Sequence, residues 1–189
     1  MARRGAKSRS KAAPRASQRL GAKLAKDPDE VDLLYAWFDA LAAERGEREA
    51  ESALARRAKA SPSHVPALVL GYALFGVGRP GEALRAFELA HQRRPNEQTM
   101  YALSGALLAD DRIDDAIALL KAADARRPLA TRPLVNLANG YAAKGDARKA
   151  RSALDRISPT GRREWRQLVD SAYARLRWAR APARRRRPR

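Results

Sequence analysis

The residues able to do chemistry are few and scattered. Cysteine is absent, which excludes disulfides, thiolate metal ligands and a thiol nucleophile. The two histidines, His64 and His91, stand near opposite ends of one stretch, and neither has a partner at metal-ligand spacing. They read as ordinary helix-end histidines. Asp110, Asp111, Asp114 and Asp115 form an acidic cluster, but the glycine and distal glutamate of a calcium loop are missing. These carboxylates suit the start of a helix, where they cap it and face its positive end. Gly76, Gly78 and Gly81 lack a following Lys-Ser or Lys-Thr and fall between two helical stretches, so they mark a turn. No catalytic residue, metal site or cofactor is expected, and the chain reads as non-enzymatic.

The remaining chemistry is cationic, and its placement is uneven. The net charge is +18 over 189 residues. Residues 1–26 hold nine Lys/Arg and no acid, and residues 175–189 hold eight Arg and no acid. Residues 27–174 hold 22 basic and 21 acidic side chains and are nearly neutral. Any electrostatic attraction therefore lives in two arms. Arg3, Arg4, Lys7, Arg9 and Lys11 in one, with Arg184, Arg185, Arg186 and Arg187 in the other, are candidate phosphate contacts. Two readings stand for them: counterion-releasing phosphate binders of low sequence preference, or solubilising tails. Aromatic residues are missing from the arms except Trp178, so base stacking is poorly supplied.

The elements between the arms are helical by composition. Ala and Leu dominate the apolar residues, whereas β-branched residues are scarce. No stretch approaches the ~20 apolar residues of a membrane span, and no apolar core follows the basic N-terminus as in a secretory signal. A cytoplasmic location is expected, and the Ala/Arg-rich composition suggests a GC-rich bacterial source. Met1 to about Lys26 offers only Leu20 and Leu24 as large apolar residues, so residues 1–28 read as a disordered arm. Pro28 and Asp29 mark the start of folded structure, with Asp29 as a candidate cap.

From there the chain repeats. Pro62, Pro95 and Pro128 are 33 apart, and Ala50, Ala83, Ala116 and Ala150 recur at 33, 33 and 34. Leu54, Phe87, Leu120 and Leu154 follow those alanines by four, while Trp37, Leu70, Leu103 and Leu137 precede them by thirteen. A turn lies before each alanine. One apolar helical face before a turn and another after it, at a period near 34, means stacked helix hairpins. The recurrent alanine belongs where two helices cross closely, and the recurrent proline stops the second helix. Beyond them, Trp165, Leu168, Val169, Ala172, Tyr173 and Leu176 share one face of a further helix, expected at 162–178 as a cap on the array. An Arg-rich disordered tail is expected over 179–189.

These positions resemble the tetratricopeptide repeat. His64 to Asn96 fits best, with Leu70-Gly71, Leu74, Gly78, Ala83, Phe87, Ala90 and Pro95. The units are 31–63, 64–96, 97–130 and 131–164, with the first most divergent and Pro159 three positions early in the last. The resemblance implies an all-α superhelix of about four helical hairpins that binds a protein partner. It also implies that positions two, five, nine and twelve of each unit line a concave groove. These include Tyr35, Leu68, Tyr72, Phe75, Tyr101, Leu108, Arg132 and Asn139. Its apolar middle suits a peptide or helix of a partner. The Lys/Asn set with which some family members clamp a carboxylate is mostly missing, with only Arg132, Asn136 and Asn139 similar to it. The occupant could instead be the chain's own arm or a second copy; the oligomeric state is open. The expected function is an adaptor, the alternative a nucleic-acid-associated protein acting through its arms.

Overall fold

A computed structural model describes residues 15–180. The basic residues Arg3, Arg4, Lys7, Arg9, Lys11 and Arg184 to Arg187 lie outside them. Among the described residues every regular element is a helix: α1 (Ala16–Leu24), α2 (Val31–Arg45), α3 (Glu47–Ala60), α4 (Val65–Gly76), α5 (Pro80–Arg93), α6 (Glu97–Ala109), α7 (Ile113–Arg126), α8 (Thr131–Ala143), α9 (Ala147–Asp155), α10 (Pro159–Glu164) and α11 (Arg166–Arg180). The protein is all-α. It comprises two compact units, Met1–Leu54 and Ala55–Arg189.

In the first unit α1 packs on α2, which corrects the expectation of disorder throughout residues 1–28. Leu24 is fully buried, as is Leu34 of α2. Ser17 donates from its amide (3.0 Å) and its hydroxyl (2.6 Å) to the two carboxylate oxygens of Glu44. Those two bonds hold the Glu44 carboxyl below its usual pKa. A nine-residue helix is marginal alone, so its stability comes from this distant partner. The cap of α2 is Glu30 rather than Asp29: its carboxylate accepts from the amides of Asp32 and Leu33.

The second unit is built from α4–α5, α6–α7 and α8–α9, each a pair packed on itself. Helix α4 touches α6, α6 touches α8, and α8 touches α11, while α5 and α7 also pack on the first helix of the next pair. The recurrent alanines Ala83, Ala116 and Ala150 are fully buried, with Phe87, Leu120 and Leu154 one turn on at 1% exposure or less. The turns repeat in atomic detail. Gly78, Asp111 and Gly145 have φ of 76°, 60° and 76°. The next amide in each bonds five residues back, Arg79 to Leu74 O, Arg112 to Leu107 O and Asp146 to Tyr141 O, at 2.9–3.0 Å. This is the hydrogen bond that closes a helix through a left-handed residue.

The capping helix expected at 162–178 is interrupted. Ser158 caps α10 by accepting from the Gly161 amide, with Pro159 in its first turn. Helix α10 ends at Trp165, and α11 runs from Arg166 into the segment expected to be a tail. Pro159 is early in the repeat because it opens a new helix instead of closing the fourth hairpin. The core side of α11 is the predicted face: Val169, Ala172 and Leu176 are buried with Leu134, Ala150 and Leu154.

Candidate partner-binding groove

The middle of the predicted groove is an aromatic hollow between α4 and α6. Phe87 of α5 forms its base and is 1% exposed. It lies there because Gly71 in α4 leaves room: a Cβ on Gly71 would stand 2.4 Å from two ring carbons of Phe87. Tyr72 meets Phe87 edge-on, with centroids 5.1 Å apart at 71°, and Phe75 is tilted against it at 6.5 Å. Tyr101, Ala102, Gly105 and Ala106 of α6 complete a space of about 120 Å³. Phe75 is 40% exposed, and its grouping with Tyr72 and Tyr101 around one hollow, more than its exposure alone, makes it a candidate contact.

Not every predicted groove residue is there. Leu68 is 2% exposed within the core formed by α4, α5 and α6, which corrects its assignment to the groove. A residue one position along a helix turns by about 100°, so a small difference in helix orientation moves it between surface and core. Leu108 is half-buried against that core. Asn139 is half-buried on α8. Tyr35 belongs to α2 in the first unit, where burial raises its phenol pKa.

Arg132 occupies a setting that spacing did not show. Its guanidinium lies between the rings of Tyr101 and Trp165, 5.1 Å and 4.8 Å from their centroids. Its Nε is buried without a well-aligned hydrogen bond, although Glu97 Oε1 stands 3.5 Å away. The two rings thus hold the charge by cation–π attraction. Sequence placed Trp165 on a capping face but had no means of bringing it to Arg132, 33 residues earlier. Asn136 serves structure instead of a ligand: its Nδ2 donates to Tyr101 O (3.0 Å) and Ser104 Oγ (2.9 Å), joining α8 to α6.

The remaining singled-out side chains support the scaffold. His64 is the residue before α4. His91 Nδ1 lies 3.1 Å from Thr99 Oγ1, and burial lowers its pKa. Asp115 pairs with Arg112, and Asp114 with Lys144; Asp114 and Asp115 lie in the first turn of α7, whose N-cap is Arg112 and lacks a side-chain cap bond. Among the described residues no group of three or more His, Asp or Glu could hold a metal ion. None of the described helices is long and apolar enough to cross a membrane.

Residues 107–176 match the tetratricopeptide repeat family. Over those residues the chain is similar to tetratricopeptide repeats. Two solved structures of MamA share its fold. One is 16% identical, covering 86% of this chain and 85% of its own at a TM-score of 0.51. The other is 17% identical, covering 82% and 84% at 0.55. No curated protein matches the sequence. The Tyr72/Phe75/Tyr101 hollow is one part of the helical array with unfilled apolar surface.

Proposed function

We propose that this protein is a non-enzymatic adaptor whose aromatic hollow receives an apolar side chain from a peptide or helix of a protein partner. A tetratricopeptide-repeat array is in general a protein-interaction scaffold. The observation that carries the finer reading is Phe75, exposed beside Tyr72 and Tyr101 over the buried Phe87 ring. Large aromatics grouped this way are the residue types that dominate interface energetics. Arg132, held over the rings of Tyr101 and Trp165, adds a cation beside α6 and α8.

The test replaces Tyr72 and Tyr101 by Ala and compares captured partners by mass spectrometry. Loss of a hot-spot aromatic weakens binding by roughly 2 kcal/mol or more, so partners held by the hollow should drop out. An unchanged partner set, with helicity and Tm preserved, sinks this reading. A second reading rests on charge: nine basic residues in 1–26 and eight in 175–189, with no acid in either, suit nonspecific attraction to nucleic acid.

A further inference from the structure

A larger cleft, about 530 Å³, opens on a different face of α6 from the aromatic hollow. Comparing hairpins in register shows why it is open. In the α4–α5 hairpin, Arg93 reaches back across the repeat junction. Its Nη1 donates to Ala58 O (2.6 Å) and Ser63 O (3.0 Å), and its Nη2 to Lys59 O (3.3 Å). The need arises from Pro62, which has no N–H for the carbonyl four residues before it, that of Ala58. Leu89, one turn earlier on α5, packs against the core beside it. Arg93 thus bridges that junction, with Leu89 one turn away against the core.

Thirty-three residues on, the need recurs but the bridge does not. Pro95 leaves the carbonyl of His91 without its helical donor. Arg126 stands in register with Arg93, yet among the described residues it makes no hydrogen bond or ion pair. Ala122 stands where Leu89 would. The missing leucine side chain and the disengaged arginine leave the cleft, floored by Met100, Leu119 and Leu129. Its far wall is braced: Asp124 accepts from the Leu129 amide at 3.2 Å. Asp124 also forms a two-pronged pair with Arg156 at 2.5 and 2.7 Å. The cleft is therefore built into the fold. Its volume lies in the range of ligand-binding pockets, ~300–1,000 Å³.

The charge at its mouth selects the occupant. Arg126 and Arg127 are both exposed and line it. Glu97 also lines it, but that carboxylate faces Arg132. Two full positive charges outweigh the roughly half-unit negative end of α7. We propose that this cleft is a second docking site, for an acidic segment of a protein partner that inserts an apolar side chain over Met100, Leu119 and Leu129 and sets a carboxylate on Arg126 and Arg127. A peptide also carries backbone N–H groups, the donors that the carbonyl of His91 lacks, which a fatty acid does not. The site is independent of the aromatic hollow.

The test is fluorescence anisotropy of the full chain with a labelled peptide of sequence Glu-Glu-Leu-Leu-Glu-Glu. Saturable binding is expected. Ala122→Leu, which restores the leucine that the preceding hairpin carries in register, should weaken it at least about tenfold by filling the cleft. R126S/R127S, at exposed positions, should do the same, while Tyr72→Ala should not. Absence of saturable binding overturns the proposal. So does unchanged affinity in either variant with circular dichroism as in the wild type. Equal binding of a peptide with serines in place of leucines also overturns it, because the basic arms would then account for the attraction.

Discussion

At the residue scale, Gly71 shows how a missing methyl group holds a hairpin together. An alanine in a helix interior is intrinsically better than glycine by about 1 kcal/mol. At Gly71 the added Cβ would stand 2.4 Å from Phe87, and that ring is buried in the core with Ala67, Leu74, Ala83 and Leu103, so it gives way only by leaving its packing and entering the aromatic hollow. Overpacking costs roughly 1–3 kcal/mol, so the steric loss wins. Gly71→Ala is expected to lower stability in urea denaturation. Gly105→Ala is the control: its Cβ would lie 3.5 Å from Asn136 Nδ2, an ordinary contact, and the variant should be neutral or gain up to about 1 kcal/mol.

At the scale of elements, the hairpins are closed by one device used three times. Gly78, Asp111 and Gly145 take the left-handed backbone at equivalent places, and the following amide reaches five residues back. Glycine adopts this conformation without cost, whereas a side chain incurs ~1–2 kcal/mol. Gly145→Ala should therefore destabilise by about 1 kcal/mol or more, and Asp111→Gly should be neutral or stabilising by up to about 1 kcal/mol, both read from thermal unfolding. Equal and opposite results would mean that the turns are not equivalent. Asp111 is tolerable because its short polar side chain is among the few that visit this region.

At the scale of the whole chain, charge and scaffold are separable. Helix α1 is folded against α2, so a test of the basic arms should spare it and remove residues 1–14 and 181–189 only. If the arms hold phosphate, affinity for duplex DNA should fall by about three orders of magnitude between about 50 mM and about 200 mM salt. Removal of both segments should abolish it while the Tm is kept. Binding that survives both deletions, or that ignores salt, counts against the arms as the contact.

The all-α class, the period near 34, the alanine crossings and the turn positions were legible in the sequence, because each depends on spacing along a single helix or hairpin. Ala83, Ala116 and Ala150 are buried where the repeat places them. So was the apolar character of Tyr72, Phe75 and Tyr101. What spacing could not decide were contacts between residues far apart in the chain. Disorder was expected through residue 28 because α1 has only two leucines, and its order comes from Glu44 and α2. Leu68 lay on the predicted groove until the orientation of α4 against α5 and α6 turned it inward. The break at Trp165, the placement of Arg132 over two rings and the cleft beside Arg126 depend on how one hairpin meets the next. Periodicity dictates which face of a helix is apolar; only tertiary packing determines how much of that face is covered and what is left open to a partner.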